Sequence, residues 1–404
     1  MSGTAPIDKY RQKAKEKFAG LKLLYTPDPD TKEPTPAASY WKLGTSFDTM
    51  IDFLDIVDST GANEVARNVI KQFTLSLKEV GKPGPNEPSN PNQGYNSAWF
   101  DDFGWWTIAI QRALERPYFT EAKAKSDLEN LMQNCWGRYT DNAPEVWNHR
   151  KPGTYDNCRP AVEGGVWNAY WEGTPVEWLG PRGNPNQLSG IQNTVTNALY
   201  LMAAQRLGVK DPRAKASAQK EFKFLDAWFD MDKDPLWWRP ASNNTEALIR
   251  ERVSHFFNGA GATEFQREWA WAGDQGLMLG GFVDRIELMG VSPDERKKLQ
   301  GRAKDLLDGA LGHMVKDGAL QAWTTAPGGG PPNSDDYGTG RGIFWRNFLH
   351  AWKQNPGLRA IINSPEYRKL MTTSADAAAN SLDPYFDGLT NDLATLTAAI
   401  AILS

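Results

Sequence analysis

Helical periodicity runs through most of the sequence and limits its fold more than any other feature. Apolar residues recur at spacings of three and four, whereas the strict alternation of a half-buried strand is scarce. The chain is therefore expected to be all-α. The pattern predicts about twelve helices, near 7–24, 40–58, 62–79, 97–116, 119–137, 189–207, 211–231, 272–290, 293–316, 340–354, 365–380 and 387–403.

Several of these helices are joined in pairs by short turns that contain glycine or proline, at 114–117, 206–212 and 289–293. The second helix of each of these pairs is richer in Lys and Glu, as expected of an outer, solvated helix. Long polar loops, which are usually functional in a compact domain, separate the pairs. The pattern predicts an (α/α)6 toroid, with an inner ring, an outer ring and a cleft at one end, formed by residues 1–404 as one domain.

Charge and composition exclude several classes of function. The 45 basic and 49 acidic residues give a net charge of -4, which provides no electrostatic footprint for nucleic acid. No stretch reaches the roughly 18 apolar residues of a membrane-spanning helix. The N-terminus lacks the apolar core of a signal peptide. We therefore expect a cytoplasmic protein, or a secreted or periplasmic one if an export signal has been removed.

The residues that usually hold metals or form disulfides are few. The four histidines are far apart, so local zinc-binding spacings are excluded. Cys135 and Cys158 do not make a disulfide framework; two buried thiols are expected, and a single bridge between them stays open. No metal or cofactor is implied, and the oligomeric state is left open.

Tryptophan is unusually placed. Only Trp41 of the 17 tryptophans lies in the first ninety residues, and many of the others flank Asp, Gly or Asn. Core packing is the ordinary role of any one of them. As a set beside carboxylates, they indicate a groove in which aromatic faces stack on sugar rings and polar edges take hydrogen bonds.

The strongest chemical signal is the pair Asp101 and Asp102 in an aromatic helix start. Mutual repulsion and apolar surroundings should raise one of the two pKa values, as a paired acid and base requires. Retaining glycosidases hold two carboxyls about 5 to 5.5 Å apart, a distance that adjacent side chains can span. The alternative is one helix cap and one surface residue. Aromatic candidates for substrate contact in this segment are Tyr95, Trp99 and Trp105.

Three later helix starts carry polar residues within apolar surroundings. Asn193 and Asn197 are four apart and share a helix face. The other two segments contain Asp274 with Gln275, and Arg341 with Phe344. These residues are either caps and helix–helix hydrogen bonds or, if they converge at one end of the toroid, parts of a sugar site. A second acidic pair, Asp335-Asp336, is either a solvated turn or a site for a cation or sugar hydroxyls.

Together these segments resemble glycoside hydrolase family 76, the endo-α-1,6-mannanases. Asp101-Asp102-Phe103-Gly104-Trp105-Trp106 is similar to that family's catalytic helix. The other similar segments follow in the family's order, at Gly164-Gly165-Val166-Trp167, Asn193-Thr194-Val195-Thr196-Asn197, Asp274-Gln275-Gly276 and Gly340-Arg341-Gly342-Ile343-Phe344. The resemblance extends from about Tyr40 to Leu403.

The resemblance implies an (α/α)6 fold and retaining hydrolysis of α-1,6-mannosidic bonds, with Asp101 as nucleophile and Asp102 as general acid/base. It also places Trp167 among the substrate contacts. Gln192 and Arg341 stand where the family usually has Lys, and Asp274 where it has Asn. The segment around Trp167 also departs from the family, with two glycines in place of three and one tryptophan in place of two. An intact catalytic pair with altered subsites indicates a shifted substrate.

Two alternatives remain at this stage. The altered subsite positions suit a non-catalytic glycan-binding protein on the same toroid, because a fold does not fix a function. A sugar epimerase or isomerase ranks below both, because such toroid enzymes favour histidine and only His350 lies near a motif.

Overall fold

The computed structural model describes residues 4–25, 40–80, 100–141, 162, 164–166, 191–230, 236–238, 246–251, 253–256, 262–265, 269–325 and 335–404. Thirteen α-helices lie in these ranges: α1 Thr4–Tyr25, α2 Tyr40–Ile56, α3 Ala62–Val80, α4 Phe100–Leu114, α5 Ala122–Asp141, α6 Thr194–Leu207, α7 Pro212–Phe229, α8 Ala272–Leu288, α9 Pro293–His313, α10 Gly340–Gln354, α11 Pro356–Ile362, α12 Pro365–Asn380 and α13 Phe386–Leu403.

Six of these helices close into a ring. α2 packs on α4, and each of α4, α6, α8 and α10 packs on the next helix of the ring until α13 returns to α2. All six are mostly buried, because both their inner and outer sides face other helices. The remaining long helices, α1, α3, α5, α7, α9 and α12, pack around this ring. This is the predicted (α/α)6 toroid.

The inner helices are parallel, so their first turns meet at one end of the ring. Gly276 in the second turn of α8 touches Phe344 of α10 so closely that an added Cβ would lie 2.6 Å from its Cα. The N–H of Gly342 in α10 donates to Oδ1 of Asn391 in α13 at 2.7 Å. The candidate residues, which the sequence places at helix starts, therefore gather at this end.

The helix starts follow from local chemistry. Asp211, Ser292 and Asn355 each place a side-chain oxygen on a backbone N–H of the first turn, and proline follows as the first residue of the helix. Each cap side chain satisfies a backbone N–H that the helix itself leaves unpaired. The proline that follows has a φ angle that already suits a helix.

Short antiparallel strands lie between the helices. β1 Ile191–Gln192, β4 Val253–Phe256 and β5 Ala262–Phe265 form one sheet in the order β1-β4-β5. Three two-stranded sheets pair β2 Trp237–Trp238 with β3 Leu248–Ile249, β6 Trp269–Trp271 with β9 Trp323–Thr325, and β7 Val315–Lys316 with β8 Ala319–Leu320. β6 runs directly into α8 and thereby leads into the ring end where the candidate residues lie.

Each predicted range contains a helix within the described residues, with α10 and α12 at the predicted bounds. Ile191–Gln192 and Val315–Lys316, which were predicted as ends of helices, form strands β1 and β7 instead. The short helix α11 was not predicted. The apolar C-terminal segment forms α13 of the inner ring, and none of the described helices has the length and apolar character needed to cross a membrane. Cys135 is a buried free thiol, whereas Cys158 lies outside the described residues.

Candidate active site

Asp101 and Asp102 occupy the first turn of α4, at the end of the ring where the inner helices begin. Asp101 is partly exposed, whereas Asp102 is 8% exposed. Phe100 and Phe103, on either side of the pair, are buried. The sequence therefore places two adjacent carboxyls at the boundary between an aromatic core and the surface.

The surroundings of Asp101 make its ionisation costly. They raise the pKa of Asp101 to about 7, mainly through burial and further through the charges of Glu251 and Asp336. A hydrogen bond from the N–H of Asp102 to Oδ1 of Asp101, 3.1 Å long, lowers the pKa of Asp101 and so offsets part of this rise. Asp101 is consequently able to change its charge near neutral pH.

Gln275 positions Glu251 near this pair. The Gln275 side chain accepts from the N–H of Ile249 and donates to its carbonyl, each at 2.7 Å. It also donates to the carbonyl of Trp271 at 2.9 Å. Two residues beyond Ile249, the N–H of Glu251 donates to the carbonyl of Trp269 at 3.0 Å. Gln275 is fully buried and braces the backbone of these two segments.

Asp274 is fully buried and interacts with Glu251. Within the described ranges, neither Asp274 oxygen has a hydrogen-bond partner of normal geometry. Burial raises the pKa of Asp274 well above its usual range, and the charge of Glu251 raises it further. Burial also raises the pKa of Glu251. The ionisation of each of these two carboxyls is therefore opposed by its burial, and that of Asp274 also by the charge of Glu251.

Asn193 and Asn197 have structural roles at the start of α6. Asn193 is the helix cap and accepts from the N–H of Thr196 at 3.1 Å. Asn197 is fully buried; its amide oxygen accepts from the N–H of Val166 at 2.8 Å, and its nitrogen donates to the carbonyl of Asn193 at 2.7 Å. The amide nitrogen also donates to the carbonyl of Val166 at 3.4 Å, so Asn197 orders the chain around Val166.

The segment 164–166 is held by a second buried group on an outer helix. Gly164 and Gly165 have φ angles of 132° and 86°, values that favour glycine. The N–H of Gly165 donates to Oε2 of Glu221 in α7 at 2.9 Å. Burial raises the pKa of Glu221 to about 8.

The remaining candidates divide by exposure. Trp105 is 4% exposed and its ring lies 5.9 Å from that of Trp41, whereas Phe344 is buried against Trp345 and Phe348. Both are core residues in this structure. Arg341 is partly exposed in the first turn of α10. Tyr95, Trp99 and Trp167 lie outside the described residues.

Asp336 lies at the same end, in a short 3-10 helix, Asp335–Thr339, that leads into α10. The carbonyl of Tyr337 accepts from Trp271 Nε1 at 2.9 Å, and Asn391 donates to the carbonyl of Gly338 at 2.8 Å. Lys42 lies 3.5 Å from Asp336. This segment therefore brings one carboxyl of the second acidic pair close enough to influence Asp101.

The sequence did not single out Glu251 or Glu221. Glu251 stands between two arginines in a long loop, a pattern typical of a solvated segment. Glu221 belongs to a lysine-rich outer helix. Only the tertiary fold shows that both are buried.

The fold and the clustered carboxyls define the class of protein, an (α/α)6 toroid of the kind found in glycoside hydrolases, with acidic groups gathered at one end. Neither a protein-family model nor a curated protein matches the sequence. Solved structures do match its fold. One is the GH76A α-1,6-mannanase from Salegentibacter sp. HEL1_6, with 15% identity over 98% of this chain and 100% of that chain and a TM-score of 0.64.

A further structure of the Salegentibacter enzyme is an inactive variant in which two consecutive aspartates are asparagines, in complex with α-1,6-mannotriose (14% identity, 97% of this chain and 99% of that chain, TM-score 0.63). Dfg5 from Chaetomium thermophilum in complex with glucosamine matches with 18% identity over 100% of this chain and 91% of that chain, at a TM-score of 0.59. These likenesses confirm the fold expected from the resemblance to family 76.

Proposed function

We propose that the protein is a retaining glycosidase that cleaves α-1,6-mannosidic or related α-glycan linkages, with Asp101 as nucleophile and Asp102 as general acid/base. The observation that carries this proposal is the adjacent pair in the first turn of α4, where burial and neighbouring carboxyls raise the pKa of Asp101 to about 7. A surface pair without a function would not be surrounded by buried aromatic rings and further carboxyls.

In the first step, the Asp101 carboxylate attacks the anomeric carbon while Asp102 protonates the glycosidic oxygen, and the carbon–oxygen bond to the leaving sugar breaks. In the second step, Asp102 takes a proton from water, which attacks the anomeric carbon and releases Asp101. Two displacements at one carbon retain its configuration. The N–H of Asp102 stabilises the ionised form of Asp101 that begins the cycle.

The raised pKa of Asp101 has a kinetic consequence. The nucleophile must be ionised in the free enzyme, and kcat/KM reports the pKa values of the free enzyme. A pKa of about 7 therefore predicts that the rising limb of the kcat/KM profile has its midpoint near pH 7, and the falling limb at higher pH reports loss of the Asp102 proton. In an enzyme with an unshifted aspartate, the rising limb would lie about three pH units lower.

The comparison with the Salegentibacter enzyme supports both parts of the proposal. In that protein, replacing two consecutive aspartates gives an inactive variant that binds α-1,6-mannotriose or α-1,6-mannotetraose. Asp101 and Asp102 are likewise consecutive in this chain. The altered Asp274 and Arg341 positions support a substrate that differs from α-1,6-mannan in its subsite contacts.

A time course of α-1,6-mannooligosaccharide cleavage followed by NMR tests the proposal. The same time course is run with a panel of other α-linked glycans. Early appearance of the α-anomer is expected for wild type, with loss of activity in Asp101→Asn and Asp102→Asn. Asp294→Asn, at an exposed position of outer helix α9, is the matched control and should retain wild-type activity. Wild-type rates in either catalytic variant would overturn the assignment.

A glycan-binding protein is the second candidate, favoured by the Asp274 carboxyl where family 76 carries an amide. It predicts saturable binding by calorimetry with no product from any glycan in the panel. Turnover that depends on Asp101 would exclude it. His350, on which an isomerase would depend, is bonded through Nε2 to Asp284 at 2.7 Å and belongs to a buried ionic network inside the ring.

A further inference from the structure

A second polar site lies inside the inner ring, separate from the carboxyls at its end. A cavity of about 20 Å³ lies along α4 beside Trp105, Ile108 and Arg112, one to three helical turns beyond Asp101. Helices α2, α6, α8 and α10 complete it with Asp48, Met202, Arg206, Leu277, Arg346, Asn347 and His350. The cavity is therefore lined by three arginines from three different helices.

Two of these arginines have buried N–H groups without acceptors. Arg206 Nε donates to Asp284 at 2.6 Å, but its buried Nη1 has no partner within the described ranges. Arg346 Nη1 donates to the carbonyl of Thr45 and to Thr49 Oγ1, whereas its buried Nε has no acceptor in the same part of the chain. An unmade hydrogen bond of a buried charged group is costly. These two donors therefore need an acceptor.

The third arginine is already satisfied. Arg112 donates to Asp48 and, at 2.5 Å, to Asp52. Arg112 therefore has two carboxylates as hydrogen-bond acceptors. Arg206 has one carboxylate, Asp284, which also bonds to His350. Asp48 is also shared, since it lies 3.5 Å from Arg346 Nη1 while it accepts from Arg112.

Cations outnumber carboxylates in the wall of the cavity, where Arg112, Arg206 and Arg346 stand against Asp48. The described network behind this wall balances five cations, the three arginines with Arg116 and Lys353, against five carboxylates: Asp48, Asp52, Asp55, Glu115 and Asp284. Burial lowers the pKa of Arg346, and the charges of Arg112 and Arg206 lower it further against the opposing effect of Asp48 and Asp52. A negative charge in the cavity would offset the repulsion among the three arginines of its wall.

We propose that this cavity binds one monatomic anion, such as chloride, between Arg206 Nη1 and Arg346 Nε. Its volume of about 20 Å³ exceeds the roughly 10 to 15 Å³ that one water requires, and it is too small for a polyatomic anion such as phosphate. A water could accept one of the hydrogen bonds but carries no charge to offset the repulsion among Arg112, Arg206 and Arg346. The anion would also join α6 to α10, which are separated in the ring by α8.

Thermal unfolding of the wild-type protein tests the proposal. Unfolding midpoints are measured in sodium chloride, sodium bromide and sodium gluconate at one ionic strength. A ligand that binds only the folded state should give a saturable rise of about 1 to 3 °C in chloride and bromide over gluconate. Equal midpoints in bromide and gluconate would overturn the proposal, because general screening by salt acts equally in both.

Crystals grown in bromide provide a measurement that needs no variant. An anomalous peak between Arg206 and Arg346 is expected. A cavity without that peak, in crystals whose surface sites hold bromide, would contradict the proposal and identify the occupant as water.

Arg346→Lys provides a third measurement because it keeps a cation but removes the Nε donor. The halide concentration that gives half the stabilisation should rise about tenfold, the effect of one lost hydrogen bond to a charged group. Arg296→Lys is the control, because Arg296 is paired with Glu287 on the surface at 3.0 Å. An unchanged halide response in folded Arg346→Lys would contradict the proposal. If that variant does not fold, the two wild-type measurements decide.

Discussion

The backbone N–H of Asp102 donates to Oδ1 of Asp101 at 3.1 Å, so the two candidate catalytic residues are joined by a hydrogen bond as well as by the chain. Both stand in the first turn of a helix whose next residues are buried in the inner ring. Their relative position is therefore set by the backbone of α4 and does not depend on the long loops. A paired acid and nucleophile benefits from such a rigid support.

Glu251 should control the pH dependence of the proposed reaction. Its charge raises the pKa of Asp101, so Glu251→Gln should lower that pKa while preserving side-chain shape. The midpoint of the rising limb of the kcat/KM profile should then move from near pH 7 toward lower pH, by about 0.5 to 1 unit. A pH–rate profile of wild type and variant measures the shift.

Two further variants calibrate the effect of Glu251. Asp336→Asn should shift the profile in the same direction but less, because Asp336 is the weaker influence on Asp101. Glu246→Gln should leave it unchanged, because Glu246 pairs with His313 on an outer helix at 2.8 Å. A shift in the opposite direction for Glu251→Gln would refute the electrostatic account.

Asp101 should cost the protein stability above neutral pH. Its pKa is about 7 in the folded protein and 3.8 ordinarily, so between these values the folded state holds a proton that the unfolded state has released. Stability conferred by that proton is lost as pH rises to about 7. Asp101→Asn should therefore be more stable than wild type at pH 8, by up to about 4 kcal/mol for a shift of about three pH units, and equal to it at pH 3. Urea unfolding at the two pH values measures the difference, and a variant that is less stable at pH 8 would contradict the account.

Gly104 should be required for packing between adjacent helices. A Cβ at this position would lie 2.8 Å from Tyr139 Cε1 and 2.9 Å from Leu199 Cβ, so Gly104→Ala should destabilise the protein by about 1 to 3 kcal/mol. Gly137→Ala is the matched control, because a Cβ there would have no neighbour within 4 Å and alanine favours a helix by about 1 kcal/mol. Denaturant unfolding of both variants should give opposite signs, and equal stability would contradict the packing described.

The helices were predictable from sequence because their signals are local. Proline after Asp211 or Ser292 marks a helix start without reference to the rest of the chain. The short helix α11 was missed because seven residues carry too little periodicity. The ring itself was inferred from helix number and pairing, and the packing of α13 on α2 closes it.

The candidate site was predictable only in part. Adjacent carboxyls among aromatic residues led to Asp101 and Asp102, whose catalytic roles stay a prediction. The same reasoning could not separate substrate contacts from structural hydrogen bonds, because Asn197 and Gln275 bond to segments far from them in sequence, around Val166 and Ile249. Glu251 acquires its role only when Gln275 fixes the strand that precedes it. Which polar residues face the cleft is therefore a property of the tertiary structure.

The proposed role of Asp101 as nucleophile is tested most directly by trapping the covalent intermediate. An activated α-mannoside with a fluorine on the sugar ring slows release from the nucleophile, and the labelled protein is digested and mapped by mass spectrometry. The account predicts one sugar adduct, located on Asp101 and lost in Asp101→Asn but not in Asp294→Asn. An adduct on Asp102 or on any other residue, with Asp101 unmodified, would contradict it.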